Sequence, residues 1–301
     1  MPPMNRRNFL ATSAAALATT AFFRASLHAE ARPTITTGTK DGFHIFAPDW
    51  TLGKRCDPAA YELAARIGLD GVQADFGWPE DGGGRPPLLA EARQDELMAA
   101  SARHGVTICS LALGAVNRTP YKSAPEGEQW VLDSIAVLRR MKLRVALLPF
   151  FNKNELNGDP AGVEEVIRRL RRLAPRAEKA GVVFGIESWL KVAELERILD
   201  AVKSPAIQVY YDVGNMQKVG EDYAAAIRHF GRERICEVHL KDQDDLYGKG
   251  SMNFPTVRAA LDDAGYRGWV GIEGLRLPLG IEQSIRYDLE YLRPIFPPTV
   301  S

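Results

Sequence analysis

The chain has 301 residues, of which 46% are hydrophobic and 25% charged, a composition typical of a folded protein with one large domain or two small ones. Lysine and arginine together number 38, as do aspartate and glutamate, so the formal net charge is zero. Nucleic-acid-binding proteins normally carry a basic excess, and the balance argues against that class. No run of about 20 apolar residues follows the N-terminal region, so we expect no membrane-spanning helix in the mature protein.

The first 31 residues are typical of an export signal. Arg6 and Arg7 precede an apolar run of small residues that ends at Phe23, and Ala29-Glu30-Ala31 offers a cleavage site. The paired arginines resemble the twin-arginine signal, which exports folded proteins. We therefore predict a signal over residues 1–31 and a mature protein that is periplasmic or extracellular. An N-terminal anchor or an ordinary amphipathic helix is the alternative.

Beyond this signal, eight β-rich runs alternate with eight segments that carry apolar residues at helical spacing. The predicted strands are Phe43–Ala47, Gly71–Asp75, Val106–Leu111, Arg144–Leu148, Val182–Glu187, Gln208–Asp212, Ile235–Leu240 and Trp269–Glu273. The predicted helices are Asp57–Ile67, Leu88–His104, Glu126–Met141, Ala161–Ala180, Val192–Val202, Glu221–Phe230, Phe254–Ala264 and Ile281–Ile295. Strands separated by helices pair in parallel through right-handed crossovers.

Eight such units predict an α/β protein with a closed (β/α)8 TIM barrel. A doubly wound open sheet is the competing architecture, but no Gly-x-Gly-x-x-Gly turn follows the first predicted strand. No linker or shift in composition divides the mature chain. We therefore predict a single barrel domain over residues 32–301.

Three acidic residues and a histidine stand at the predicted ends of the last four strands: Glu187, Asp212, His239 and Glu273. Active sites of such barrels form at the carboxyl-terminal ends of the strands, so we expect these side chains to converge. Three buried carboxylates would repel one another unless a cation paired with them. Three oxygen donors and one nitrogen donor suit Mn²⁺, Mg²⁺, Co²⁺ or Zn²⁺.

Glycines lie one inward-facing position before both glutamates. Gly185 precedes Glu187, and Gly271 precedes Glu273, each by two residues. Because side chains alternate along a strand, each glycine falls in the layer below its glutamate. We expect free space around the two acids.

Four motifs around these residues resemble the xylose isomerase-like barrel superfamily. They are Gly-Ile-Glu-Ser (185–188), Tyr-Asp-Val-Gly-Asn (211–215), Val-His-Leu-Lys-Asp (238–242) and Gly-Ile-Glu-Gly (271–274). More closely, they resemble the sugar isomerase/epimerase branch, which includes ketose 3-epimerases and inosose dehydratases. Residues 248–254 and 264–269 also fit the pattern of that branch. The resemblance covers nearly all of residues 42–296 and indicates a superfamily rather than a substrate.

The resemblance implies that Glu187, Asp212, His239 and Glu273 hold one divalent metal ion, and that the two glutamates also act as acid and base. A metal that chelates a carbonyl and an adjacent hydroxyl stabilises the enediolate formed on deprotonation. One glutamate then removes the proton α to the carbonyl, and the other returns a proton from the opposite face. The implied activity is sugar isomerisation or epimerisation.

Two positions depart from the ketose 3-epimerase pattern. Those enzymes usually carry a histidine three residues after the strand-six aspartate and an arginine downstream of the strand-seven histidine, where this chain has Asn215 and Lys241. We predict that four residues near the metal site contact the sugar: Asn215, Lys241, Arg276 and Trp189. For these, solvation or loop packing is the alternative.

Other residues around the barrel mouth are further candidates. Glu237 faces inward below His239, where we predict that it supports the site from behind; a buried ion pair is the alternative. Aromatic residues follow four of the predicted strands and could form walls against sugar faces, with loop packing as the alternative. They are Trp50, Trp78, Phe151 and Trp189.

Three functions remain open at this point. The first is the isomerase or epimerase, and the second is a lyase or dehydratase that shares its first step and expels a β-substituent from a keto-sugar or keto-glycoside. The third is a periplasmic sugar-binding protein without turnover. The five histidines are too few for the nuclease branch of the superfamily, which uses three zinc ions. We expect a small carbohydrate partner, no nucleic acid and no membrane for the mature protein, and the sequence leaves a homo-oligomer open.

Overall fold

The computed structural model describes residues 42–79, 84–242, 245–274 and 277–298. Within these ranges, eight parallel strands close into a barrel in chain order, with the last strand paired to the first. They are β1 (Phe43–Pro48), β2 (Gly71–Asp75), β3 (Thr107–Ala112), β4 (Val145–Phe150), β5 (Val183–Ser188), β6 (Ile207–Asp212), β7 (Ile235–Leu240) and β8 (Gly268–Ile272). The predicted (β/α)8 barrel is confirmed. The predicted signal over residues 1–31 lies outside the described residues and stays a prediction.

Nine α-helices accompany the strands in the described ranges. They are α1 (Ala59–Ile67), α2 (Glu91–His104), α3 (Pro125–Arg140), α4 (Pro160–Ala180), α5 (Val192–Val202), α6 (Val213–Lys218), α7 (Tyr223–Arg234), α8 (Phe254–Asp263) and α9 (Ile281–Leu292). Eight of them match the predicted helices to within a few residues, and α6 is additional. None of these described helices combines the length and the apolar character needed to cross a membrane.

The longest helix, α4, shows how local sequence sets the helix boundaries. The Asp159 side chain accepts a hydrogen bond from the backbone N–H of Gly162, which caps the first turn. Pro160 follows at the first helical position, where its missing N–H is not needed. At the other end Gly181 adopts a left-handed conformation with φ 69°, which a residue with a Cβ adopts only at a cost. The chain then turns directly into β5.

Strand side chains alternate between two apolar layers. Ile186, Tyr211 and Val238 pack in the large layer between the barrel and the helices. Tyr210, the residue before Tyr211 in β6, belongs to a smaller cluster inside the barrel, and so does Cys236, which lies at a register irregularity between β6 and β7. This alternation fixes which residues face the barrel interior. It directs the acids and the histidine of the last four strands into the barrel mouth.

We expected free space around the two acids at Gly185 and Gly271, and this expectation is wrong. A Cβ at Gly185 would lie 2.3 Å from the sulfur of Cys236, and one at Gly271 would lie 2.4 Å from Cζ of Phe46. Inward-facing side chains of other strands therefore occupy the volume that the glycines leave. The glycines serve close packing beneath the acids.

Candidate active site

Four side chains converge at the carboxyl-terminal ends of the last four strands. One candidate ligand atom from each of Glu187, Asp212, His239 and Glu273 lies within 4.8 Å of those of the other three. Nδ1 of His239 is 3.1 Å from Oε1 of Glu187 and 3.5 Å from Oε2 of Glu273. The structure thus brings together all four residues that the sequence indicated as ligands. As a group they could hold a divalent metal ion.

Neighbouring groups orient two of these carboxylates. Asp212 ends β6 and caps α6, with Oδ1 accepting a hydrogen bond of 2.9 Å from the backbone N–H of Asn215. Glu273 follows β8, and its Oε1 accepts a hydrogen bond of 3.2 Å from Nε1 of Trp50. In each carboxylate one oxygen is engaged by the protein, which leaves the other directed at the cluster.

The ammonium group of Lys241 lies among the acids. Its Nζ is 2.8 Å from Oδ2 of Asp212 and 2.7 Å from Oε2 of Glu273. The side-chain stem packs against Gly214, where a Cβ would come within 2.9 Å of it. The ammonium is therefore the cation that these two oxygens contact in this structure, and a metal ion would share them with it. Three carboxylates and one imidazole are a donor set that fits a divalent ion.

The two glutamates differ in their acidity. Burial raises the pKa of Glu187 to about 7 because little solvent remains to stabilise its charged form. Burial acts on Glu273 in the same direction, but the positive charges of Lys241 and His239 outweigh it and lower its pKa to about 2. The surroundings thus raise the pKa of one carboxyl group in the cluster and lower the pKa of another.

A chain of buried hydrogen bonds runs from His239 into the barrel. Nε2 of His239 lies 3.1 Å from Oε1 of Gln73, whose amide nitrogen donates to Oγ of Ser110 and to the hydroxyl of Tyr210. The Tyr210 hydroxyl donates to Oε2 of Glu237 at 2.8 Å. Glu237, predicted to support the site, therefore reaches His239 through two intervening side chains. Its burial raises its pKa to about 7.

The residues predicted to contact a sugar fall into three groups. Oδ1 of Asn215 accepts a hydrogen bond of 3.1 Å from Nε1 of Trp189, so these two form a pair beside the cluster. Lys241 contacts the acids themselves, and Arg276 lies outside the described residues. Lys218 places its Nζ 3.5 Å from the centre of the Trp189 ring. Sugar binding by these residues stays a prediction.

A cavity of about 290 Å³ opens above the cluster. Glu187 and Glu273 line it, together with side chains from the loops after β1, β2, β3 and β4: Trp50, Arg55, Trp78, Asn117, Arg118 and Phe151. Three of the aromatic residues that follow predicted strands therefore face this space.

The two arginines and Gln73 were not identified from the sequence. For Gln73 a signal existed, since it is a polar residue at an inward position of a short buried strand.

These features define a class of protein. A closed (β/α)8 barrel whose carboxyl-terminal face carries converging acids beneath a cavity has the architecture of a TIM-barrel enzyme. Residues 61–295 match the model of the xylose isomerase-like TIM barrel family, and the chain belongs to that family.

Curated relatives of the chain are enzymes. The chain is 30% identical over 196 residues to 2-epi-5-epi-valiolone 7-phosphate 2-epimerase of Actinoplanes sp. (strain ATCC 31044 / CBS 674.73 / SE50/110), with 64% of this chain and 70% of that enzyme covered. It is 30% identical over 128 residues to D-psicose 3-epimerase of Enterocloster bolteae, with 40% and 41% covered. It is 27% identical over 184 residues to inosose dehydratase of Geobacillus thermodenitrificans, with 48% and 58% covered. The chain is accordingly an enzyme.

Solved structures share the fold. D-psicose 3-epimerase of Clostridium cellulolyticum H10, determined with D-tagatose, superposes with a TM-score of 0.68 at 17% identity, covering 84% of this chain and 99% of that one. The zinc-containing structure of the IOLI protein superposes with a TM-score of 0.65 at 16% identity, covering 84% and 97%. At these identities the similarity establishes the barrel fold alone.

Proposed function

We propose that the protein is a divalent-metal-dependent sugar isomerase or epimerase that abstracts a proton next to a carbonyl. The observation that carries this proposal is the convergence of Glu187, Asp212, His239 and Glu273, two of which also line the cavity above them. The family relatives named as epimerases support it. A binding protein without turnover is set aside, because the named relatives are enzymes.

The four converging side chains would hold the metal ion. A bound divalent ion would polarise the substrate carbonyl and so acidify the neighbouring C–H bond. Elemental analysis of the purified protein would show whether this ion is Mn²⁺, Mg²⁺, Co²⁺ or Zn²⁺. We expect the variant Asp212→Ala to lose most of its metal content, because it removes an anionic oxygen ligand.

Glu187 and Glu273 would perform the proton transfers. They come from β5 and from the end of β8, and both carboxylates line the same cavity. One carboxylate takes the proton from the carbon next to the carbonyl, and the other returns a proton from the opposite face. Trp50 holds Glu273 through its indole N–H, which fixes the direction from which that carboxylate approaches the substrate. Return on the opposite face inverts the carbon centre.

Solvent-deuterium exchange tests this activity directly. Manganese-loaded protein is incubated in D₂O with a panel of keto-sugars, and deuterium at the carbon next to the carbonyl is measured by NMR. We expect exchange with at least one keto-sugar, and loss of exchange in Glu187→Gln and Glu273→Gln with binding largely kept. Glu290→Gln, a change at an exposed glutamate of α9, is the matched control. Undiminished exchange in both active-site variants would exclude the proposed roles.

A lyase or dehydratase is the second candidate, because the relatives include an inosose dehydratase. The same proton abstraction would be followed by cleavage of the C–O bond at the β-carbon, and the departing oxygen would take a proton and leave as water or an alcohol. The two activities separate in one experiment. Deuterium incorporation with an intact sugar supports epimerisation, whereas an unsaturated product together with released water or aglycone supports the lyase.

We also infer export from the twin-arginine-like segment at residues 1–31. This inference rests on the sequence pattern of Arg6 and Arg7 followed by an apolar run. Cell fractionation tests it. Protein expressed from the full sequence should be recovered outside the cytoplasm, and replacement of both arginines by lysine should retain it inside.

A further inference from the structure

We propose that the substrate carries an anionic group, a phosphate or a carboxylate, which binds to Arg118 and Arg55 at the end of the cavity away from the metal-ligand cluster. This inference rests on the proposed function and names the class of sugar that the site accepts. It would be a keto-sugar acid or a keto-sugar phosphate. The relevant residues come from the loops that follow β1, β2 and β3.

A stack of aromatic rings and guanidinium groups leads from the acids to the rim. Trp50 donates to Glu273 and has the guanidinium of Arg55 5.5 Å from its ring centre. The same guanidinium lies 4.6 Å from the ring centre of Trp78, and the guanidinium of Arg118 lies 3.3 Å from that ring. Trp78 is 40% exposed, so the stack ends in solvent. Cation–π contact holds each guanidinium in a defined plane.

Arg55 is fixed by a buried partner. Its Nη1 is 2.6 Å from Oδ2 of Asp75, a carboxylate that is 1% exposed. The other oxygen of Asp75 accepts a hydrogen bond from the backbone N–H of Gly77. At Gly114 a Cβ would lie 2.3 Å from the Asp75 carboxylate, so only glycine permits this arrangement. The pair orients the guanidinium of Arg55 along the cavity wall.

The charge of Arg118 is not balanced in the same way. No carboxylate among the described residues lies within ion-pair distance of it, and its guanidinium borders the cavity. Asn117 and Asn152 border the same region and add amide N–H groups. The acids of this cavity belong to the last four strands, apart from Asp75, which Arg55 neutralises. A ligand that fills the cavity therefore meets a metal-binding end and an end rich in N–H donors.

The guanidinium group matches this role chemically. Its planar N–H groups pair with two oxygens of a phosphate or a carboxylate, and such charge-assisted hydrogen bonds are stronger than those to a hydroxyl. Arg118 is exposed, so water hydrates its charge when the cavity holds a neutral sugar. An anionic substituent would replace that water with charge-assisted hydrogen bonds to the guanidinium, while the carbonyl end of the sugar lies over the acids.

Calorimetric binding to the manganese-loaded protein tests the inference. The three probes are D-fructose, D-fructose 6-phosphate and D-fructuronate, and the two anionic probes distinguish a phosphate from a carboxylate. We expect at least one anionic ketose to bind about tenfold more tightly than D-fructose. In Arg118→Gln we expect this preference, the ratio of the affinities for the anionic ketose and for D-fructose, to fall to about twofold. Arg139→Gln, a change at an exposed arginine of α3, is the matched control.

Two results would overturn the inference. Equal binding of neutral and anionic ketoses by the unaltered protein would do so, as would an anionic preference that survives in Arg118→Gln. Deuterium exchange on neutral keto-sugars without anionic preference would refute the anion subsite and leave the proposed activity standing. Failure of all three probes to bind, together with the absence of exchange on the whole panel, would count against both.

Discussion

Oε1 of Gln73 lies 3.1 Å from Nε2 of His239, at the start of a buried hydrogen-bond chain. The amide nitrogen of Gln73 already donates to the Tyr210 hydroxyl, which donates in turn to Glu237. With its nitrogen committed as a donor, Gln73 presents a carbonyl oxygen to His239, and Nε2 must carry the proton. The lone pair of a neutral His239 is therefore on Nδ1, the atom that faces Glu187 and Glu273. That tautomer is the one a metal ion requires.

Replacement of Gln73 should weaken metal binding. In Gln73→Leu the acceptor for Nε2 is lost, so the imidazole is free to rotate and to exchange tautomers. We expect manganese affinity, measured by competition with a chelator, to fall by about tenfold to a hundredfold. Gln129→Leu, at an exposed position of α3, should leave the affinity unchanged. Unaltered affinity in Gln73→Leu would show that the hydrogen bond does not orient the ligand.

Replacement of Lys241 should have opposite effects with and without metal. The ammonium group balances Asp212 and Glu273, so Lys241→Met leaves two carboxylates without their cation and should destabilise the chelator-treated protein by about 3 kcal/mol. The same change removes a positive charge that competes with a metal ion for these oxygens. Manganese should therefore raise the melting temperature of Lys241→Met by more than that of the unaltered protein.

Differential scanning calorimetry with EDTA and with manganese gives both quantities for Lys241→Met. Lys249→Met, at an exposed lysine, is the control for loss of a charge. If Lys241→Met had the same melting temperature as the unaltered protein both with EDTA and with manganese, the ammonium group would not balance the charges of Asp212 and Glu273.

Asp288 should make stability depend on pH. Burial raises its pKa from 3.8 to about 7, while one carboxyl oxygen accepts the backbone N–H of Tyr247. Between about pH 4 and pH 7 the folded protein keeps a proton on Asp288 that the unfolded chain has released. In this pH range the folded state thus binds more protons at Asp288 than the unfolded state does. The contribution of Asp288 to the free energy of unfolding therefore falls as pH rises from about 4 to about 7.

The variant Asp288→Asn isolates this effect. Asparagine keeps the acceptor oxygen and does not titrate, so the loss of unfolding free energy from pH 4 to pH 8 should shrink by up to about 4 kcal/mol. Urea denaturation at several pH values measures the change. Asp263→Asn, at an exposed aspartate, should keep the original slope. Identical slopes for Asp288→Asn and the unaltered protein would exclude a perturbed Asp288.

A methyl group at Gly185 should not be tolerated. Its Cβ would lie 2.3 Å from the Cys236 sulfur and 2.8 Å from Cβ of Tyr210, so the barrel interior must shift. We expect Gly185→Ala to lower the free energy of unfolding by about 1–3 kcal/mol in chemical denaturation. Removing the sulfur in the double variant with Cys236→Ala should recover part of that loss. If the double variant lost as much free energy of unfolding as the two single variants together, the contact with the Cys236 sulfur would not be the cause of the loss in Gly185→Ala.

Much of this architecture is readable from the sequence, and the limits have physical reasons. Runs of β-rich residues located the strands, which are buried on both faces, and apolar residues at helical spacing located most helices, because a helix of this fold is buried on one face. The short helix α6 was missed because Asp212 both ends β6 and caps the helix, so no linker separates the two elements. Lys241 was predicted to contact the sugar, and sequence could not show that its ammonium lies between Asp212 and Glu273. That position depends on side-chain packing across three strands.

The division of labour around the cavity has a consequence for engineering. The ends of the last four strands supply the candidate ligands, whereas the loops after β1, β2 and β3 supply Arg55, Trp78 and Arg118. Under the two proposals above, the second half of the gene encodes the reactive groups and the first half encodes the groups that bind the anionic substituent. Exchange of the early loops between family members should redirect such a catalyst to new sugars without rebuilding its reactive centre, and random libraries confined to those segments are the economical place to search.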